Sequence, residues 1–162
     1  DIRDLGSLDV RFNDVLNDQL KKSLVYCGST PDDFYDLDKI DQILYQSLAI
    51  DENLHIFFVG NVYRFKRLEK YVSEKRVTYV DRVPRKLALA YVQLSDYVLF
   101  FGHQFDGYLT TKLFEYFKLK KKIIPLDLDI KYEAFDLIFE YGQEKMRVES
   151  SADFKTYIEL LD

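Results

Sequence analysis

Asp106-Gly107-Tyr108-Leu109-Thr110-Thr111-Lys112-Leu113-Phe114-Glu115-Tyr116 is the stretch of this sequence richest in groups that could do chemistry. Its pattern predicts a loop running into a helix. The first N–H groups of that helix, the Thr110 and Thr111 hydroxyls and the positive end of the helix dipole then converge on one point, an arrangement that suits a phosphate or diphosphate. Glu115, one turn further in, could accept hydrogen bonds from vicinal hydroxyls such as those of a ribose. Capping threonines and a Lys112/Glu115 surface pair explain the same residues without a ligand. Gly28-Ser29-Thr30 follows the first apolar run and offers backbone that a ligand can approach closely; Gly60 and Gly102 follow later runs in the same way. The chain has no G-x-G-x-x-G and no G-x-x-x-x-G-K-[ST], so dinucleotide and P-loop readings lose their main support.

Other candidate groups are sparser. Asp127-Leu128-Asp129 is an Asp-x-Asp at a strand end, a pattern that can hold Mg or Mn against a diphosphate, and is otherwise a solvated strand end. His55 and His103 are far apart and Cys27 is the only cysteine, so no zinc spacing can be built. Lys118, Lys120, Lys121 and Lys122 form a cationic run, read as a solvated helix end, with anionic lipid as the alternative partner.

These groups need elements to hold them. Short β-rich runs alternate with stretches of helical period. The predicted strands are Leu24 to Cys27, Leu54 to Val59, Val77 to Val80, Tyr97 to Phe101, Ile123 to Leu126 and a weaker sixth at Lys145 to Glu149. Between them lie helical stripes: Ile40, Ile43, Leu44 and Leu48; Phe65, Leu68 and Val72; Leu87, Ala90, Tyr91 and Leu94; Leu113, Phe114 and Phe117; Ala134, Phe135 and Ile138. Ser151 is the expected N-cap of a last helix carrying Phe154, Tyr157, Ile158 and Leu161. The second and fourth runs are continuously apolar, the mark of strands buried on both faces. With right-handed crossovers the prediction is a Rossmann-like, doubly wound α/β fold with a six-stranded parallel sheet over residues 23–162. Residues 1–22 fall outside the alternation and read as a linker or lead-in helix bearing Phe12, Val15, Leu16 and Leu20.

The 162 residues, 48% hydrophobic and 31% charged, are ample for one such domain. A formal net charge of −5 argues against wrapping nucleic acid. No apolar stretch reaches the roughly 20 residues of a bilayer span, and a lone cysteine in an apolar run fits a reducing, cytoplasmic setting.

Residues 108–125 resemble the "KlfEYla.gkPvi" segment of retaining GT-B glycosyltransferases of the broad glycosyl transferase group 1 family. In outline, Val25 to Ser29 is similar to that family's opening strand and glycine loop, His55 to Gly60 to its "l.ivG" strand, Arg76 to Pro84 to its "V.f.G.v" turn, and Ser95 to Leu99 to its "y..aD..l" element. The resemblance implies the carboxyl-terminal, nucleotide-sugar-binding domain of such an enzyme. By that likeness Glu115 holds the donor ribose. Gly28, Ser29, Leu109, Thr110, Thr111 and Lys112 cradle the diphosphate, Arg82 and Val83 receive the base, and Asp106 and Gly107 lie toward the sugar; His103, read from its place after Gly102 at the cleft, could touch a donor phosphate or sugar and is otherwise an ordinary loop histidine. The departures are specific: the family's first glutamate falls on Gly107, its turn glycine on Asp81 and its usual proline on Lys122. The basic residues after its glycine loop are out of register, with Lys39 and Lys112 as stand-ins.

The donor implied is a UDP- or GDP-sugar, with no metal and no further cofactor, and no catalytic residue is assigned. The acceptor implied is a glycan or lipid-linked molecule in bacterial-type surface glycan assembly. Since the chain opens on Asp1 and has length for one of two GT-B domains, an absent amino-terminal acceptor-binding domain is expected, as is inactivity of this half alone. For the full-length enzyme, peripheral association with the inner face of the membrane is a further expectation. The alternative is a non-catalytic Rossmann-like domain that binds a nucleotide or a partner.

Overall fold

Leu54–Val59 (β2) and Tyr97–Phe101 (β4) are buried at every residue, as strands covered on both faces must be. The computed structural model describes residues 7–30, 34–102, 111–129, 131–144 and 146–162, with the Thr111 side chain excepted. Around these two strands lie Lys22–Cys27 (β1), Val77–Val80 (β3) and Ile123–Leu126 (β5), forming one parallel sheet in the order β3-β2-β1-β4-β5. Seven α-helices accompany it among the described residues: Val10–Leu16 (α1), Leu37–Ile50 (α2), Glu69–Ser73 (α3), Arg85–Leu94 (α4), Thr111–Lys118 (α5), Glu133–Glu140 (α6) and Ser151–Leu161 (α7).

Among the described residues the sheet has five strands rather than the expected six. Lys145 is outside the described residues, and the rest of that segment contributes a single bridge, Val148 to Leu126. Only Val148 is buried there. Its neighbours, the half-buried Arg147 and the exposed Glu149, pair with each other at 2.6 Å, a charged pair that belongs at the sheet margin and not in the core.

Two apolar clusters lie on opposite faces of the sheet, as double winding requires. One packs residues of α2 and α7 with Phe65 and Leu68; the other packs residues of α1, α4, α5 and α6. Several expected stripes are buried as read: Ile40, Ile43, Leu44 and Leu48 of α2, Ala134, Phe135 and Ile138 of α6, and Phe154, Tyr157 and Ile158 of α7. Others shift. On α5 the buried pair is Leu113 and Tyr116, one turn apart, while Phe114 is 49% exposed. Leu68 is buried in a 3-10 turn at Lys66–Leu68 that precedes α3, and Phe65 is buried just before that turn, instead of both lying in a single helix. The cap of α7 is Ser150, whose side chain accepts from Asp153 N, one residue before the expected Ser151. In the lead-in, α1 is capped by Asp9 and seats Phe12 and Val15 in the second cluster, leaving Leu20 at the surface.

The order of strands places a switch point between β1 and β4. Asp96 ties their amino ends together, accepting from Ser23 N at 2.8 Å and donating its own N–H to Ser23 Oγ at 2.9 Å. The β1–β4 ladder is registered only at Leu24↔Tyr97 and Val25↔Val98, whereas β1 stays paired with β2 as far as Cys27↔Val59. The crevice therefore opens at the carboxyl ends, where ligands of open parallel sheets bind.

His55, in β2, bears on stability and not on chemistry. It is 7% exposed, its Nδ1 has no partner among the described residues, and burial, with Lys21 and Arg76 nearby, lowers its pKa below the ordinary 6.5. The folded state thus disfavours the imidazolium. Stability is complete above pH 6.5 and is lost as pH falls from there through the lower folded-state pKa. Urea midpoints should drop between pH 7 and pH 5 in the native chain, and His55→Gln should flatten that slope; an unchanged slope would show that other groups set it.

Candidate functional site

Gly28 sits at φ +140° at the end of β1 and Gly60 at φ +122° at the end of β2, left-handed conformations that glycine adopts at little cost. Gly28 N donates to Val59 O at 2.9 Å on the β2 side. Backbone groups alternate along a strand, so the Cys27 carbonyl faces the β4 side, where the ladder has already parted. Lys112, from the first turn of α5, donates its ammonium to that carbonyl, and its Nζ occupies the space a Cβ on Gly28 would need. Tyr26 donates its hydroxyl to Ser29 O at 2.7 Å and stacks on Phe101 with ring centres 4.2 Å apart, fixing the floor beside the glycine turn.

Above this turn lies a cavity of about 500 Å³. Its floor is Gly28, Ser29 and Gly60. One wall is α4, through Arg85, Leu89 and Val92; the other is α5, through Lys112, Glu115 and Tyr116. Arg82 and Val83 close the end beyond β3. The cavity thus brings together Gly28, Ser29, Arg82, Val83, Lys112 and Glu115 of the residues singled out in the sequence. Leu109, Thr110, His103, Asp106 and Gly107 lie outside the described residues, and Thr111 is placed only as the first residue of α5.

The electrostatics are set by burial. Burial lowers the Lys112 pKa from its ordinary 10.5, against the pull of Cys27 and Glu115. Burial likewise pushes the Cys27 thiol up to about 12, so it is a neutral thiol lining the pocket and no nucleophile. Glu115 accepts from Arg85 across the cavity mouth, an ion pair between α5 and α4 that sequence reading missed. The partners are thirty positions apart, so no local spacing signals the pair.

Three other sequence readings resolve differently. Gly102 is a glycine for packing reasons, since a Cβ there would meet the Asp127 and Leu128 backbone and come within 2.6 Å of Leu128 Cα. Asp127 is held by Lys39 at 2.7 Å, and Asp129 pairs with Arg147 at 3.7 Å. Among the described residues no group of three or more potential metal ligands gathers. Nor are the four lysines a single patch: Lys121 turns inward onto the Ser95 carbonyl, Lys122 lies 3.6 Å from Asp162, and Lys118 and Lys120 face solvent. No helix among the described residues is long and apolar enough to cross a membrane.

A parallel α/β sheet with this strand order and a pocket at its carboxyl edge resembles a domain of a GT-B glycosyltransferase. The crystal structure of WaaG, a glycosyltransferase involved in lipopolysaccharide biosynthesis, matches 96% of this chain with a TM-score of 0.60 at 13% identity. The crystal structure of TarM matches 88% of it with a TM-score of 0.59, also at 13% identity. This chain spans 42% of the first and 28% of the second. The likeness is one of fold. No protein-family model matches the sequence, and no curated protein matches it.

Proposed function

We propose that this chain is the donor-binding domain of a glycosyltransferase, receiving a nucleoside diphosphate sugar in the cavity between α4 and α5. The observation that carries the reading is the gathering of a glycine turn, a half-buried lysine, a carboxylate and an apolar wall in one cavity at the carboxyl edge of the sheet. Its volume falls in the range of small-molecule sites, about 300 to 1,000 Å³. The diphosphate of a UDP- or GDP-sugar lies over Gly28 and Ser29, with Lys112 turning from the Cys27 carbonyl to neutralise it. The ribose hydroxyls meet Glu115, and the base lies toward Val83 and Leu89. Thr111 supplies helix-start N–H groups.

Transfer, with retention at the sugar carbon and to a glycan or lipid-linked acceptor, requires a second domain that positions the acceptor and shuts out water. The chain alone therefore binds donor without turnover, needs no metal, and belongs to an enzyme working in the cytoplasm, at the inner membrane face where the acceptor is lipid-linked.

Isothermal titration against UDP, GDP, ADP and dTDP, with and without Mg or Mn, tests this. One diphosphate should bind without metal. Lys112→Met should weaken it by roughly tenfold or more, the loss of a charge-assisted hydrogen bond. Binding of none would move the chain to a partner-binding role. Strict metal dependence would point to Asp127 and Asp129 once freed from Lys39 and Arg147.

A further inference from the structure

We infer that Arg85 is a positioning residue for Glu115, and that the pair makes this pocket select ribonucleoside over deoxyribonucleoside diphosphates; the inference rests on the proposed donor site. Arg85 is the first residue of α4, directly after Pro84, whose φ of −56° and ψ of 149° set the direction in which the helix leaves the β3 turn. Its guanidinium spans the mouth of the cavity to Glu115 on α5. The two side chains are unequally placed: that of Glu115 is 29% exposed, that of Arg85 75%. The carboxylate is thus the more enclosed of the two, and the guanidinium holds it from the solvent side.

Only one carboxylate oxygen, Oε1, is engaged among the described residues. Oε2 is left to accept from a hydroxyl in the cavity. An unrestrained glutamate would lose rotamer freedom each time it met a ribose; one already held by arginine has lost it before the ligand arrives. The cavity thereby presents a preset acceptor to a vicinal diol. A site built around such an acceptor discriminates sharply against the analogue lacking the hydroxyl.

The experiment is a set of titrations on this chain with the nucleoside diphosphate that binds it best, the 2′-deoxy and 3′-deoxy analogues of that compound, and inorganic pyrophosphate. Native chain, Arg85→Gln, Arg85→Lys, Glu115→Gln and the Arg85→Gln/Glu115→Gln double variant are compared. The native chain should prefer the ribonucleotide over at least one deoxy analogue by about tenfold or more. Arg85→Gln and Glu115→Gln should each reduce that preference to about threefold or less. Arg85→Lys should recover part of it, and the double variant should be no worse than Glu115→Gln alone, because the two act as one unit. Pyrophosphate affinity should change by no more than about threefold in Arg85→Gln, as fits an exposed charge.

Equal losses for ribonucleotide, deoxy analogues and pyrophosphate in Arg85→Gln would overturn the inference and make Arg85 a general anion attractor. So would native binding without ribose discrimination, which leaves the donor site itself standing. No binding of any nucleoside diphosphate would overturn both.

Discussion

Phe12→Ala is expected to lower the melting temperature by roughly 10 °C or more, the largest loss of any single side chain in the amino-terminal segment. Truncating a buried phenylalanine costs about 3–5 kcal/mol, and in a domain of this size each kcal/mol corresponds to roughly 2–4 °C. Phe12 is fully buried. Its ring meets Phe57 edge-on at 4.9 Å and Tyr91 at 4.8 Å, joining α1 to both β2 and α4. The seven residues of α1 are too few to hold a helix in water by themselves. The helix persists because Phe12 and Val15 are buried, because Asp9 caps it by accepting from Arg11 N at 2.8 Å, and because Asp9 N donates to the Tyr91 hydroxyl at 2.7 Å. Removing residues 1–21 should therefore cost at least as much as Phe12→Ala, since it strips the cover from Phe57 and Tyr91 together. Thermal melts followed by circular dichroism check both changes. A shift below about 2 °C would mean that the lead-in rests on the sheet without supporting it.

What the sequence revealed and what it hid divide along a physical line. Continuous apolar runs such as Leu54 to Val59 report their own burial, and their alternation with helical periods leaves few topologies open. Hence the parallel, doubly wound sheet was readable, as were Gly28 and Gly60 at the strand ends. Contacts between distant side chains carry no such local signal. The Arg85–Glu115 pair, the hold of Lys39 on Asp127 and the inward turn of Lys121 each join residues more than twenty positions apart. The apparent sixth strand failed for a related reason. Its alternation of Met146, Arg147, Val148 and Glu149 fits a strand, but the pairing of Arg147 with Glu149 and the approach of Glu149 to Lys39 at 3.5 Å are satisfied only at the margin of the sheet. Phe114 fits an apolar stripe with Leu113 and Phe117, yet one turn of helix fixes only which residues share a face, and Leu113 with Tyr116 took the buried one.

Gly60→Ala and Gly28→Ala should separate the fold from the site. Both glycines lie in the left-handed region, so alanine strains the backbone at either. At Gly60 the new Cβ would meet the Gly28 carbonyl, with the carbonyl carbon only 3.2 Å away. The obstacle is backbone, and relief would pull on the strand ends that hold both residues, where Gly28 N donates to Val59 O and Gly60 N to Val80 O, each at 2.9 Å. A loss of about 2–4 kcal/mol is expected, and a melting temperature lower by on the order of 10 °C. At Gly28 the obstacle is instead the Lys112 ammonium, the far end of a flexible side chain, with Lys112 Cε at 3.3 Å. The chain can yield there, so Gly28→Ala should cost about 1–2 kcal/mol, mainly backbone strain. It should nonetheless weaken diphosphate binding by roughly tenfold or more, as Lys112→Met does, because the methyl group occupies the space over the glycine turn in which the ammonium and the diphosphate meet. The double variant Gly28→Ala/Lys112→Met gives the decisive comparison. If the ammonium is what the methyl group displaces, its binding loss should match that of Lys112→Met alone, and part of the stability lost in Gly28→Ala should return. If the two binding losses add instead, the glycine turn and the lysine act on the ligand separately, and the turn serves the diphosphate through its own backbone.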